Sequence, residues 1–265
     1  MSKPTRQTPD SATHPAPFRL DGEVVLITGG GTGLGRAMAD CMVAAGARVV
    51  LLGRRRAPLQ QSVAELGDHA TWVEHDVTDA AAAPAVLRAA ARPFGAVTVL
   101  VNNAGIHFKK PALTTTEAEF QQVLNTHVLG AHALTRAVLP DLIARRRGSV
   151  LFVASMASLF GIPLVLAYSA AKSAYLGMVR TLATEVSQYG VRVNAIAPGW
   201  IETDMSRQAL QGDPVRYQRI VERTPMRALG RAADVGWAAV YLCSPAARFL
   251  TGVVLPVDGG VSIGF

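Results

Sequence analysis

Seven short runs rich in Val, Ile and Leu recur along this chain: Val24 to Thr28, Arg48 to Leu52, Thr71 to His75, Val97 to Val101, Ser149 to Ala154, Arg192 to Ala197 and Val253 to Val257. Between them lie longer, alanine-rich stretches that open near Gly35, Pro58, Asp79, Glu117, Tyr168 and Ala232. Continuous apolar runs of this length are the signature of strands covered on both faces, and a helix-length stretch after each strand returns the chain in parallel. The spacing therefore predicts a single-domain α/β fold over 21–265, a doubly wound, seven-stranded and mainly parallel sheet with helices on both faces. One long departure, Glu202 to Gly230, is polar and helical and reads as a lid over a substrate site. The first 20 residues are rich in Pro, Thr and Ser and read as a flexible arm, neither a secretory signal nor a membrane span.

Composition narrows the function classes. A length of 265 residues with 50% hydrophobic content is enough for one large core. Two distant cysteines, Cys41 and Cys243, without a CxxC or Cys/His cluster, point to a reducing, cytoplasmic setting and to no zinc or other metal site. His127 and His132 lack a nearby carboxylate that would complete a ligand set. The net charge is +7, yet the arginines fall in short scattered runs, so the sequence argues for neither a nucleic-acid nor a membrane partner.

The first apolar run ends in TGGGTGLG, Thr28 to Gly35. Glycines at 29, 33 and 35 permit a tight bend, close approach of backbone to a pyrophosphate, and close packing of the next helix on the sheet. At the end of the second run, where an acidic side chain would accept hydrogen bonds from an adenosine ribose, stand Gly53 and then Arg54, Arg55 and Arg56. Arg54 suits a 2′-phosphate through charge-assisted hydrogen bonds, so NADP(H) is favoured and NAD(H) stays open. Asn102-Asn103-Ala104-Gly105 closes the fourth run with small residues that let a cofactor approach and amide side chains able to cross-link strands.

Ser155 closes the fifth run, and Tyr168 and Lys172, four residues apart, share a helix face. A phenol of ordinary pKa near 10 needs an adjacent cation to exchange protons at neutral pH, and Lys172 supplies one. The glycine turn, NNAG and the Ser155, Tyr168, Lys172 set, in this order, resemble the short-chain dehydrogenase/reductase family over nearly the whole chain. The resemblance implies a Rossmann-fold NAD(P)(H)-dependent oxidoreductase that interconverts a secondary alcohol and a ketone. It implies that Tyr168 gives or takes the proton, Ser155 hydrogen-bonds the substrate oxygen, and Lys172 also holds the nicotinamide ribose. It places Thr32, Gly33 and Leu34 against the phosphates, Asp76 and Val77 at the adenine, and Ala104 and Gly105 beside the cofactor with Asn102. Pro198, Gly199, Ile201 and Thr203 would then grip the nicotinamide carboxamide. It also implies a homotetramer built from the long helices near Glu117 and Tyr168 and the C-terminal strand.

One position departs from the family pattern. Relatives carry an Asn three residues before a Gly in the helix preceding Ser155, and here His127 precedes Gly130. An imidazole can donate and accept hydrogen bonds and titrates near neutrality, so His127 can organise the water relay to the lysine, or it can be a packed helix histidine.

Residues expected around the reacting carbonyl are Ile106, His107, Phe108, Met156, Leu159, Phe160, Pro163, Val165, Leu166 and Trp200. Lys109, Lys110, Arg207 and Arg216 are available for an anionic end. NNAGIHFKKP and VDGGVSIGF resemble gluconate 5-dehydrogenase-like members, which suggests a sugar acid. A 3-oxoacyl-thioester reductase is the second reading, and a dinucleotide-binding regulator without turnover is a third of another class.

Overall fold

The computed structural model describes residues 16–203, 207 and 212–264. Strands β1 (Val24–Thr28), β2 (Arg48–Gly53), β3 (Ala70–Glu74), β4 (Val99–Asn102), β5 (Gly148–Val153), β6 (Val191–Pro198) and β9 (Val254–Val257) form one seven-stranded sheet in the order β3-β2-β1-β4-β5-β6-β9. Every pairing in it is parallel. Strands β7 (Ile201–Glu202) and β8 (Gly230–Arg231) make a separate parallel pair, with Ile201 opposite Gly230.

All five residues of β1 are buried because both faces of the sheet are covered. On one face Leu26, Leu100 and Phe152 pack with Leu134, Val138 and Tyr175 of α5 (Gly130–Arg145) and α6 (Leu166–Val186). On the other, Ile27, Val101 and Leu151 meet Met38 and Met42 of α1 (Gly33–Ala44) and Val235 and Ala239 of α8 (Ala232–Cys243). Each such side chain withdrawn from water contributes roughly 1.5–3 kcal/mol. Strand order reverses between β1 and β4, so their carboxyl ends part and leave a crevice where ligands bind in sheets of this kind.

The remaining helices are α2 (Arg56–Leu66), α3 (Ala83–Phe94), α4 (Glu117–Leu124) and α7 (Pro214–Arg223). Observed strand ends lie within two residues of the expected ones. The long helix expected from Glu117 is interrupted. A capping box fixes its start, with Thr116 Oγ1 accepting from the Glu119 amide and Glu119 returning a bond to the Thr116 amide. Residues 125–129 then widen into a π turn before α5 begins at Gly130. Such turns recur at functional sites, and this one carries His127.

Residues 17–20, expected to be part of a flexible arm, are held to the body. Leu20 is 1% exposed and its amide donates to the Ala45 carbonyl. The Pro17 carbonyl accepts from the Ala246 amide, and Phe18 lies 6.0 Å from the Tyr241 ring. Apolar contact and paired backbone groups thus hold residues 17–20 to the body, while 1–15 lie outside the described residues. No described helix is long and apolar enough to cross a membrane.

Candidate active site

A cleft of about 950 Å3 runs along the carboxyl ends of the strands, from the glycine-rich turn to Ser155, Tyr168 and Lys172. At its phosphate end, Thr32 is the N-cap of α1 but its side chain makes no capping bond, and no acidic residue occupies the first helical turn. The leading amides of a helix otherwise need partners, and the residues at this helix start, Thr32, Gly33 and Leu34, line the cleft. Gly35 has a packing role: a Cβ there would stand 2.2 Å from the Gly29 carbonyl oxygen. This cradle, uncapped and closed only by glycine, fits a pyrophosphate.

Thr28 and Gly35 therefore shape the turn from behind, and neither lines the cleft. Thr28 Oγ1 accepts from the amides of Asn103 and Ala104, both at 2.8 Å, and Asn103 Nδ2 donates to the Thr28 carbonyl at 2.9 Å. The expected cross-link between strand ends exists, but Asn103 makes it. Asn102 is 2% exposed and points the other way, its Nδ2 donating to Thr135 Oγ1 at 3.1 Å. Residues alternate across a strand, so the last one of β4 is turned into the core while the next emerges at the crevice. Asn102 thus does not line the cleft, whereas Asn103, Ala104 and Gly105 do.

At the adenosine end, Gly53, Arg54, Arg55, Asp76 and Val77 line the cleft. Arg54 Nη1 lies 3.5 Å from Asp76 Oδ2. Burial pushes the Asp76 carboxyl up, but hydrogen bonds from Thr78 and the Arg54 charge outweigh it and hold it below its usual range. Arg56 is spent elsewhere, 3.1 Å from Glu74 and over the Trp72 ring. Of the arginine run, Arg54 and Arg55 face the cleft; Arg55 had no separate signal in the sequence.

At the other end Ser155, Tyr168 and Lys172 meet on one wall. Ser155 Oγ accepts from the Ala157 amide at 3.1 Å, which occupies a lone pair and leaves its proton free to donate. Burial raises the Tyr168 phenol, and a hydrogen bond with Ser155 works against the rise. Lys172 is 3% exposed, donates to the Val153 carbonyl at 2.6 Å, and sits 5.7 Å from the Tyr168 ring centre. Desolvation pushes its ammonium down to about 7. Burial thus favours the neutral form of both the lysine and the phenol in this dry wall, and the Ser155 hydrogen bond is the contact that favours the phenolate.

His127 is also part of this wall, 1% exposed, with its ring 5.6 Å from that of Tyr168. Its Nε2 lies 3.0 Å from the Ile106 amide and 2.7 Å from the Ile106 carbonyl, and Nδ1 has no partner among the described residues. Burial, reinforced by the Lys172 charge, pushes its pKa down to about 3. Burial thus favours the neutral imidazole, whose Nε2 holds the loop after NNAG. Gly105 permits this, since a Cβ there would lie 2.2 Å from His127 Cε1. The His127 carbonyl accepts from the Tyr175 hydroxyl at 3.0 Å.

Pro198, Gly199, Ile201 and Thr203 line the cleft beside Trp200. Asn194, 0% exposed, ties β6 to the segment before β9 through Leu250 and Val253. Met156, Pro163 and Val165 line the substrate end as expected, together with Ile162, which the sequence reading missed. Leu159 and Leu166 instead face solvent, Phe160 lies under the Arg223 guanidinium, and Phe108 packs on Val123 and Ala167.

A family model described as enoyl-(acyl carrier protein) reductase matches residues 29–262. The chain is 40% identical to a protein of Xanthobacter autotrophicus named inactive 2-(S)-hydroxypropyl-CoM dehydrogenase 2, over 85% of this chain and 99% of that one. It is 37% identical to galactitol 2-dehydrogenase (L-tagatose-forming) of Cereibacter sphaeroides, over 93% and 97% of the two chains. It also superposes with TM-score 0.85 and 38% identity on a putative 2-deoxy-d-gluconate 3-dehydrogenase of Agrobacterium tumefaciens with bound NADP, covering 93% and 98%. With the fold, the glycine turn and the Ser155, Tyr168, Lys172 wall, these matches establish that the chain belongs to the short-chain dehydrogenase/reductase family of oxidoreductases.

Proposed function

We propose that this protein interconverts a secondary alcohol and a ketone with NADP(H), using Tyr168 as the general acid and base. The observation that carries the reading is the meeting of Ser155, Tyr168 and a buried Lys172, its pKa near 7, at one end of a cleft whose other end is an uncapped helix start. When bound, a nicotinamide supplies or accepts the hydride. Thr32, Gly33 and Leu34 would hold its pyrophosphate, Arg54 and Arg55 its 2′-phosphate, and Ile201 and Thr203 its carboxamide. Asp76 and Val77 would border the adenine.

The protein's own part is positioning and proton transfer. Ser155, with one lone pair held by Ala157, donates its proton to the substrate oxygen and fixes the carbonyl beside Tyr168. Tyr168 gives its proton to that oxygen in reduction and takes one in oxidation. Lys172, held by the Val153 carbonyl, stabilises the phenolate and has donors left for the ribose hydroxyls. His127, neutral and fixed to Ile106, positions the loop over the site rather than carrying protons.

NADP(H) is preferred over NAD(H) in this reading because Gly53 stands where a carboxylate would repel a phosphate. Segment 202–230, of which 204–206 and 208–211 lie outside the described residues, acts as a lid in this reading, supported by the β7–β8 pair at its base and by Arg216 on the cleft wall. Homotetramer formation in the cytoplasm belongs to the same proposal. Exposed Leu129 and Phe249, the latter 98% exposed, supply apolar surface for such contacts.

Similarity to a 3-oxoacyl-[acyl-carrier-protein] reductase of Vibrio cholerae, 34% identical over 92% of this chain, supports a 3-oxoacyl-thioester reductase as the second reading, and the relative named inactive supports a binding-only role as the third. Fluorescence titration with NADPH and NADH tests the cofactor assignment. Tighter binding of NADPH is expected, and equal or weaker binding would refute it.

A further inference from the structure

Beyond the reacting carbonyl, the substrate half of the cleft has apolar walls from Met156, Ile162, Pro163 and Val165 and carries the cations Lys109 and Arg216. Among the described residues, Asp76 is the one acidic side chain on the whole cleft, and it lies at the adenosine end. The two adjacent lysines differ in a telling way. Lys110 Nζ is claimed by Glu119, at 2.8 and 3.0 Å from its two carboxylate oxygens. Lys109, on the cleft, pairs with no carboxylate among the described residues.

Arg216 is half-buried in the first turn of α7, and its guanidinium lies 6.0 Å from the centre of the Trp200 ring. Trp200 itself lines the cleft and follows Gly199, so one aromatic face both walls the site and orients the arginine. A guanidinium held on an indole keeps its edge donors available, in a planar fork that matches the oxygens of an oxyanion. No ion pair of Arg216 is formed among the described residues. Two cations without a carboxylate partner among the described residues, on a low-dielectric, concave wall, raise the local concentration of anions and favour them over neutral ligands.

We propose that the natural substrate carries an anionic group, a carboxylate or sulfonate, set off from the reacting carbon and held by Arg216 with Lys109. This rests on the oxidoreductase reading above and specifies its substrate class. One charge-assisted contact of this kind corresponds to about 10- to 100-fold in kcat/KM.

The full-length protein with NADPH is assayed on matched pairs: a keto acid against its methyl ester, and a keto sulfonate against the neutral sulfone of equal length. The anionic member of at least one pair is expected to be preferred about tenfold or more. That ratio should fall toward one in Arg216→Gln with Lys109→Gln, and partly recover in Arg216→Lys. Because the ratio is internal to each variant, a loss of folded protein does not mimic the effect. Preference for the neutral members, or a ratio unchanged in the double variant, overturns the proposal. Which pair discriminates more separates carboxylate from sulfonate.

Calorimetric binding of glutarate and of propanesulfonate to the NADPH complex gives a readout that needs no turnover. If no ketone is reduced, the oxidoreductase reading fails. Saturable anion binding that weakens in Arg216→Gln would still uphold the anion site, and absence of such binding would remove it.

Discussion

Replacing Lys172 with Met removes a cation that is 3% exposed and whose pKa falls from 10.5 in the open to about 7 in the fold. The sign of the effect follows from proton counting. Between pH 7 and 10.5 the unfolded chain holds the proton that the folded chain has released, so stability rises with pH through this window. Below pH 7 both states hold it, and the folded protein bears the whole desolvation cost. At about 1.4 kcal/mol per pH unit, the fall from 10.5 to about 7 corresponds to roughly 5 kcal/mol in the cofactor-free protein. A methionine side chain in its place would bear none of it, but would strand the Val153 carbonyl, now bonded at 2.6 Å, at about 1–3 kcal/mol. The Lys172→Met variant should therefore be more stable than the parent by about 2–4 kcal/mol at pH 6. It should lose that advantage as pH approaches 10. Urea unfolding of both proteins without cofactor, at one protein concentration across this pH range, measures the difference. Parallel stability profiles would refute the claim that a desolvated lysine is held in the wall.

Other consequences are equally direct. Arg54→Ala should lower the preference for NADPH over NADH by about 10- to 100-fold, read from the ratio of the two dissociation constants, because a charge-assisted phosphate contact is lost. Gly35→Ala places a Cβ 2.2 Å from the Gly29 carbonyl. It should cost about 2 kcal/mol or more in stability and weaken NADPH binding at least tenfold, measured by thermal unfolding and fluorescence titration. His127→Asn should keep the shape of the pH–rate profile between pH 5 and 9, because burial and the Lys172 charge favour the neutral imidazole across that range. It should lower kcat by loosening the Ile106 loop. Disappearance of a limb near pH 6.5 would instead assign His127 a proton-carrying role.

The sheet was legible because each strand is sheathed on both faces and so reads as a compact apolar run bounded by helix-length stretches. The order and placement of the glycine turn, Ser155, Tyr168 and Lys172 were legible for a related reason, since strand ends and a four-residue helical spacing fix where side chains go. What escaped depends on contacts distant in sequence. Asn102 and Asn103 are neighbours in one motif, and only the pairing of β4 with Thr28 and the packing of Thr135 decides which faces the crevice. The π turn leaves the apolar pattern of Glu117 to Arg145 nearly intact, so the break at His127 was invisible, as was the burial that removes its charge. Leu20 looked like the end of a polar arm until Ala45 supplied its partner. Leu159 and Phe160 read as pocket residues by their nearness to Ser155, but the turn after β5 carries one to solvent and the other to Arg223.

The most direct test of the central claim is NADPH consumption with a panel of keto acids, keto sulfonates, acyl thioesters and simple ketones, run side by side for the parent protein and Tyr168→Phe. The account requires turnover by the parent on at least one class and a fall of about a thousandfold or more in the variant, with NADPH still bound. Turnover that survives in Tyr168→Phe would contradict the assignment of Tyr168 as the proton donor. NADPH binding by the parent without reduction of any substrate would favour the binding-only reading instead.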